Sequence, residues 1–315
     1  MRDVLVSARG QTDNLGDSVL RRGLLDALRP LGRLVVNVDG LPDGYVSALG
    51  LQAQDLQVRD RRDWARRSSG GAWAGAVYGF NAGETYATPG YAGHLLKLAP
   101  LVAVSRLRGG AGLHVGLGLR APHPLWGRVL RLGLAPCSIV AWRDADSRSW
   151  VGRGDVAPDW GYAFGTTDLA PARSGADRPV LAVSLRGDRP APGPVWTQTV
   201  RALASDRSLD VVVVPQVGRD LPRARELAAD LGGELVGWDG VDHAAAEKVV
   251  RDVYRRASFV VSDRLHALVL GHTEGALPVG LAPGAAGKLE RSLATVGATG
   301  AAFSTDGLDV ARAVG

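Results

Sequence analysis

An arginine and a histidine two residues apart, in the run Ser262-Asp263-Arg264-Leu265-His266-Ala267, fall where a buried strand (Ser258 to Val261) turns into an apolar helix (Leu265 to Gly271). At the carboxyl edge of a parallel sheet such a junction aims backbone N–H groups and the positive end of a helix at a ligand, which favours an anion. The guanidinium of Arg264 adds fixed positive charge with bidentate geometry for phosphate or carboxylate. The imidazole of His266 adds a group able to carry a proton. The same two residues admit a plainer role, with Arg264 in a buried ion pair with Asp263 or Asp252 and His266 a hydrogen-bonded core residue.

Three other places carry chemistry. The strand Pro179 to Leu185 ends at Arg186, which puts a second guanidinium at the same sheet edge as Arg264. Near the amino terminus, Gly10-Gln11-Thr12-Asp13-Asn14-Leu15-Gly16-Asp17 follows the first strand and opens the first helix. Its glycines allow close backbone approach, and Asn14 or Asp13 can cap the helix. Lys288 follows the last strand, where it either neutralises a phosphate or simply starts a helix. No Cys/His metal spacing occurs, so a metal is not expected, and Cys137 in an apolar run reads as a small buried hydrophobe.

The elements that must position these groups are clearest in the second half. Strands at Pro179–Leu185, Leu209–Val214, Glu234–Val236, Ser258–Val261 and Leu277–Leu281 alternate with helices at Val195–Ala204, Leu221–Leu231, Ala244–Arg256, Leu265–Gly271 and Lys288–Val296. Continuous apolar strands such as Val211-Val212-Val213-Val214 imply helices on both faces of a parallel sheet. The first half predicts strands at Asp3–Ala8, Leu34–Val38, Ala74–Phe80, Leu101–Val104 and Ser138–Trp142. It predicts helices after Asn14 and over Leu125–Leu132, and loops with a polar helix between Leu41 and Gly70. The 315 residues divide on this reading into a Rossmann-like domain over 1–170, a second over 171–297, and a tail over 298–315 that packs back on the first.

The formal charge is +5 with only three lysines. The densest cluster, Arg59, Arg61, Arg62, Arg66 and Arg67, contains Asp60 and Asp63 and reads as a solvated helix face or a surface for phospholipid heads. Nucleic acid is disfavoured, since no recognition module with aromatic platforms is visible. No apolar run approaches a membrane span, and Met1-Arg2-Asp3 leads straight into a strand, so a cytoplasmic protein is expected.

Taken together, Asn14-Leu15-Gly16-Asp17 and Ser262-Asp263-Arg264-Leu265-His266-Ala267 resemble the polysaccharide pyruvyl transferase family. Val183-Ser184-Leu185-Arg186, Arg143-Asp144-Ala145-Asp146-Ser147, Pro158-Asp159, Val214-Pro215-Gln216 with Asp220, and Lys288 extend the match. The resemblance implies two doubly wound α/β domains facing a cleft, similar to the glycosyltransferase B architecture. It also implies transfer of a pyruvyl group from phosphoenolpyruvate to two hydroxyls of a sugar, with release of phosphate.

On that reading Arg264, Arg186, Leu265 and Lys288 hold phosphoenolpyruvate, and His266 and Asp17 move protons. Asn14, Gly16 and Glu84 face the acceptor, a lipid-linked or nucleotide-linked sugar. No cofactor is implied beyond phosphoenolpyruvate as co-substrate, and the work would be done in the cytoplasm, with peripheral contact at the inner face of the membrane. One departure stands out: Asn81-Ala82-Gly83-Glu84 replaces the family's glycine triplet. The rivals are a nucleotide-sugar-dependent glycosyltransferase of the same architecture, gripping ribose with Glu247 or Asp242, and a non-catalytic ligand-binding relative.

Overall fold

The computed structural model describes residues 1–120, 123–165, 178–282 and 286–306. The chain forms two compact units, Met1–Gln11 with Asp17–Trp160 and Thr12–Gly16 with Gly161–Gly315. The expected boundary at 170 falls in 166–177, outside the described residues.

In the first unit, β1 (Asp3–Ser7), α1 (Leu15–Leu28), β2 (Arg33–Asn37), α2 (Asp43–Val46), β3 (Leu56–Val58), α3 (Arg61–Trp73), β4 (Val77–Gly79), β5 (Gly83–Tyr86), α4 (Pro89–Leu107), β6 (Ala111–Arg120), α5 (Pro124–Gly133), β7 (Ile139–Trp142), α6 (Ala145–Val151) and β8 (Asp155–Val156) follow in order. Among the described residues the strands form one parallel sheet, β3-β2-β1-β4-β6-β7-β8, with β5 also pairing β6. Alternation along β1 sends Val4 and Val6 to one core with Leu20, Leu24 and Leu28 of α1, while Leu5 joins a second core with Ala72, Leu95 and Val102. Helices thus cover both faces, as the apolar strands require.

Two expectations are corrected here. Leu101–Val104 is not a strand but part of the second half of α4, a helix that runs through Pro100. The β-branched run suggests a strand, yet Leu95 and Val102 are buried on one side of this long helix, and that packing outweighs the local preference and the N–H that Pro100 lacks. The strand of that region is instead β6, whose three glycines hide its apolar alternation. Gly116 has φ +85° at a break in the β6/β7 register, and a Cβ there would lie 2.4 Å from the Trp160 ring.

The second unit runs β9 (Val180–Ser184), α7 (Pro194–Asp206), β10 (Asp210–Val213), α8 (Leu221–Leu231), β11 (Glu234–Leu235), α9 (His243–Arg256), β12 (Ala257–Ser262), α10 (Leu265–Thr273), β13 (Leu277–Ala282), α11 (Gly287–Ala294) and β14 (Ala302–Ser304). Every strand is parallel, in the order β11-β10-β9-β12-β13-β14. This is the doubly wound order in which the chain reverses direction between the first and fourth strands, leaving a crevice at their carboxyl ends. Leu181, Val183, Val213 and Val261 join Trp196, Val200 and Leu227 in its core. The expected tail over 298–315 is corrected as well: Ala302–Ser304 pairs with β13 and extends the second sheet. Residues 307–315 lie outside the described residues.

Candidate functional site

The reversal in the second sheet lies between β9 and β12, so Ser184 and Ser262 stand opposite one another at its mouth. The Ser262 hydroxyl donates to the Ser184 carbonyl at 2.6 Å and accepts the Arg264 amide at 2.8 Å, closing a tight turn into α10. Asp263 then accepts the Arg186 amide at 2.9 Å. Burial pushes its carboxyl pKa up against the pull of that amide and of the nearby arginines. Asp220, fully buried where the chain enters α8, accepts the Gly187 amide and takes both Nε and Nη2 of Arg264, at 2.8 and 2.6 Å. Three carboxyl edges are thereby bolted together by two aspartates. The buried ion pair of Arg264 is with Asp220; Asp252 instead pairs with Arg255, so that expected partner is corrected.

Arg186 and Arg264 meet at one more group. The exposed carboxylate of Asp188 is held bidentately by Arg186, at 2.8 and 2.6 Å, and lies 3.7 Å from Nη2 of Arg264. The hydrogen bonds from Arg186 hold its pKa down, at about 2. A carboxylate between two guanidiniums at a sheet switch point marks where an anion is favoured.

The segment Thr12–Gly16 belongs to this unit too. Asn14 bridges Val217, Leu15 N donates to Gln216 O at 3.2 Å, and Gly218 N donates to Asp13 O at 2.7 Å. Arg219 grips Asp13 through two bonds of 2.8 Å, and a His243 ring nitrogen lies 2.8 Å from the Thr12 carbonyl. Asn14 Oδ1 accepts the Gly16 amide at 3.1 Å, which tightens the turn. Gly16 sits directly against His266: a Cβ there would fall 2.2 Å from Nδ1. Any side chain would displace the half-buried imidazole, so glycine is needed for approach rather than for φ.

The expected residues therefore separate by unit. His266, Arg264, Arg186, Asn14 and Gly16 gather at the second sheet's edge, whereas Leu265 is buried as the first residue of α10 and half-buried Lys288 starts the first turn of α11. Asp17 and Glu84 belong to the first unit. Asp17 accepts the Gln11 amide at 2.7 Å and pairs with Arg21 at 3.3 Å, bracing the start of α1. The carboxylate of Glu84, expected to meet sugar hydroxyls, is bound by Arg120 and by buried Arg143, at 2.7 Å for the latter. Arg143 also reaches Asp159, and Asp144 caps α6 by accepting the Ser147 amide at 2.8 Å. The Arg-Asp-x-x-Ser and Pro-Asp segments are thus one buried brace. Gly83 at φ +112° opens β5, where a side chain would be strained.

Among the described residues, no group of three or more His, Cys, Asp or Glu side chains could hold a metal ion, and no helix is long and apolar enough to cross a membrane. The ribose-gripping candidates are also occupied. Glu247 is buried against Arg251 at 2.8 Å, and Asp242 caps α9.

Sequence reasoning passed over Asp188, and it gave Gln216 and Asp220 a place in the resemblance but no role in the site. Aspartates beside arginines are too common in this chain to stand out. Gln216 is 1% exposed, and neither end of its amide has a protein partner among the described residues; the same holds for the Ser184 hydroxyl. A buried amide left unmatched is costly, so these groups are suited to hydrogen-bond a ligand.

No protein-family model matches the chain, and no curated protein matches it. Solved structures do resemble it. The structure of Anabaena Alr3699/HepE in complex with UDP aligns with TM-score 0.52 and 10% identity over 89% of this chain and 80% of that one. Escherichia coli ADP-heptose LPS heptosyltransferase II aligns at 0.46 and 12%, over 96% and 90%, and Staphylococcus aureus MnaA, solved with UDP, at 0.45 and 13%, over 84% and 74%.

Proposed function

We propose, taking as premise the α/β fold with two Rossmann-like units shared with Anabaena HepE, that this protein is a transferase acting on a sugar. Its donor carries a phosphate or diphosphate bound at the carboxyl edge of the second sheet. The observation that carries the reading is the convergence of Arg186 and Arg264 on one carboxylate position, with Arg264 two residues from the imidazole of His266. In this scheme the anion displaces Asp188. Arg186 turns from Asp188 to the donor, while Arg264, fixed by Asp220, keeps its charge aimed at the site. His266, pressed against Gly16, is the general acid or base.

Two donors fit this chemistry. A nucleotide sugar is supported by the fold likeness to HepE, whose structure holds UDP. Phosphoenolpyruvate is favoured by the Ser-Asp-Arg-Leu-His-Ala run at the switch point, and by the engagement of Glu247 and Asp242 elsewhere, which removes the two carboxylates expected to grip ribose. The nucleotide-sugar reading is the one that the structural comparisons favour, and pyruvyl transfer is the second. Incubation with each donor and a panel of lipid-linked and nucleotide-linked sugars separates them: nucleoside diphosphate appears in the first case and inorganic phosphate in the second. Release of neither with any acceptor would remove the transferase.

A further inference from the structure

The first unit carries a surface that the proposed reaction does not use. Between Glu84 and Asp144 the sequence contains no aspartate or glutamate, yet it contains Lys97, Arg106, Arg108, Arg120, Arg128, Arg131 and Arg143. That tract builds α4, β6, α5 and β7. A surface of ordinary composition mixes both signs, so so long an acid-free stretch calls for an anionic counterpart.

Its exposed part is also apolar. Along α5, Gly127, Leu130 and Gly133 are buried, while Leu125 and Leu132, seven residues apart on one face, are 53% and 65% exposed. Arg128 lies between them on the same stripe and Arg131 at its flank, both exposed. The neighbouring helix adds to this face. A Cβ built on Gly133 would lie 2.9 Å from Leu95 Cβ and 3.4 Å from the Leu96 amide, so exposed Leu96 and Lys97 come up beside the carboxyl end of α5. Arg106 donates to the Pro136 carbonyl just beyond that end. Of the carboxylates on α6, which packs on α5, Asp144 at its cap is buried, leaving half-buried Asp146 beside exposed Arg148.

Single exposed leucines are ordinary, but leucines alternating with arginines on one helix face, free of acids, have the pattern of a helix that lies in a membrane interface. We infer that the α4–α5 face, through Leu96, Leu125, Leu132, Lys97, Arg128 and Arg131, docks the protein on an anionic phospholipid surface. The leucines enter the acyl boundary and the cations sit at headgroup level. Charge selects this occupant over a second copy of the chain, because two such faces apposed would bring like charges together. The inference stands independently of the donor and of the reaction.

The test is flotation of the whole protein with vesicles of phosphatidylglycerol mixed with phosphatidylcholine, against pure phosphatidylcholine. Binding is expected only to the anionic vesicles and should fall steeply with added salt. Arg128→Glu with Arg131→Glu should weaken it by about tenfold or more, and Leu125→Ser with Leu132→Ser should weaken it in low salt as well. All four residues are exposed, and a circular dichroism melt checks that the variants remain folded. Failure of the wild type to bind anionic vesicles, or unchanged binding by both folded variants, overturns the inference. So does a wild type that is dimeric in light scattering and becomes monomeric in the leucine variant, since the face would then belong to a second copy.

Discussion

Removing the carboxylate between the two guanidiniums should make the protein bind anions more tightly. Asp188→Asn keeps the side chain's size and polarity but ends its competition for Arg186 and Arg264. The fall in its pKa from 3.8 to about 2 corresponds to about 2.5 kcal/mol, at about 1.4 kcal/mol per pH unit. Because the Asp188 side chain is 41% exposed, solvent screening reduces this to about 1 kcal/mol, a factor of about five in affinity. Isothermal titration with phosphoenolpyruvate and with UDP reads the change directly. Asp206→Asn, an exposed aspartate paired with Arg207 at the end of α7, controls for loss of one negative charge. Equal or weaker anion affinity in Asp188→Asn, or an equal gain in Asp206→Asn, would refute the idea that Asp188 occupies the donor's place.

Other consequences can be checked with similar economy. Gly16→Ala should cut turnover by about a hundredfold while costing only about 1–3 kcal/mol of stability in urea, because the new Cβ displaces His266 without straining φ; full activity would show that the imidazole's position is unimportant. Gln216→Leu should raise the stability of the ligand-free protein by about 1 kcal/mol and weaken donor binding, since it removes an unmatched buried amide; a loss of stability would mean that the amide is already satisfied. Fully buried His114, with Tyr91 at 3.0 Å, has its pKa lowered by burial from 6.5 to about 4. The unfolded chain therefore binds the extra proton between those values, so stability should fall by about 3 kcal/mol as pH drops from 6.5 to 4, and urea midpoints of His114→Gln should show a flatter profile there.

Much of the second unit is legible in the sequence because its signals agree. Val211 to Val214 and Ser258 to Val261 are continuous apolar strands, Gly232 and Gly275 end helices, and Leu221–Leu231 has the same bounds in the structure as in the sequence pattern. The Arg264–His266 junction could be placed at a sheet edge for the same reason. The first unit is less legible where side chains misstate the backbone. Gly112, Gly116 and Gly118 conceal β6, and Leu101 to Val104 imitate a strand inside α4. Within the site, long-range partners escape any local reading: Asp220 meets Arg264 across 44 positions, and Asn14 meets Val217 only because the chain folds. Glu84 shows the opposite hazard, a residue in a suggestive loop whose carboxylate is taken by two arginines distant in sequence.

The claim on which the account depends is that an anionic donor and the imidazole of His266 meet at the edge of the second sheet. Single-turnover release of phosphate or nucleoside diphosphate, measured with donor affinity in wild type and in His266→Gln, tests it most directly. The account predicts that the variant keeps donor affinity within about twofold and loses at least about a hundredfold in turnover. Undiminished turnover in His266→Gln would contradict it.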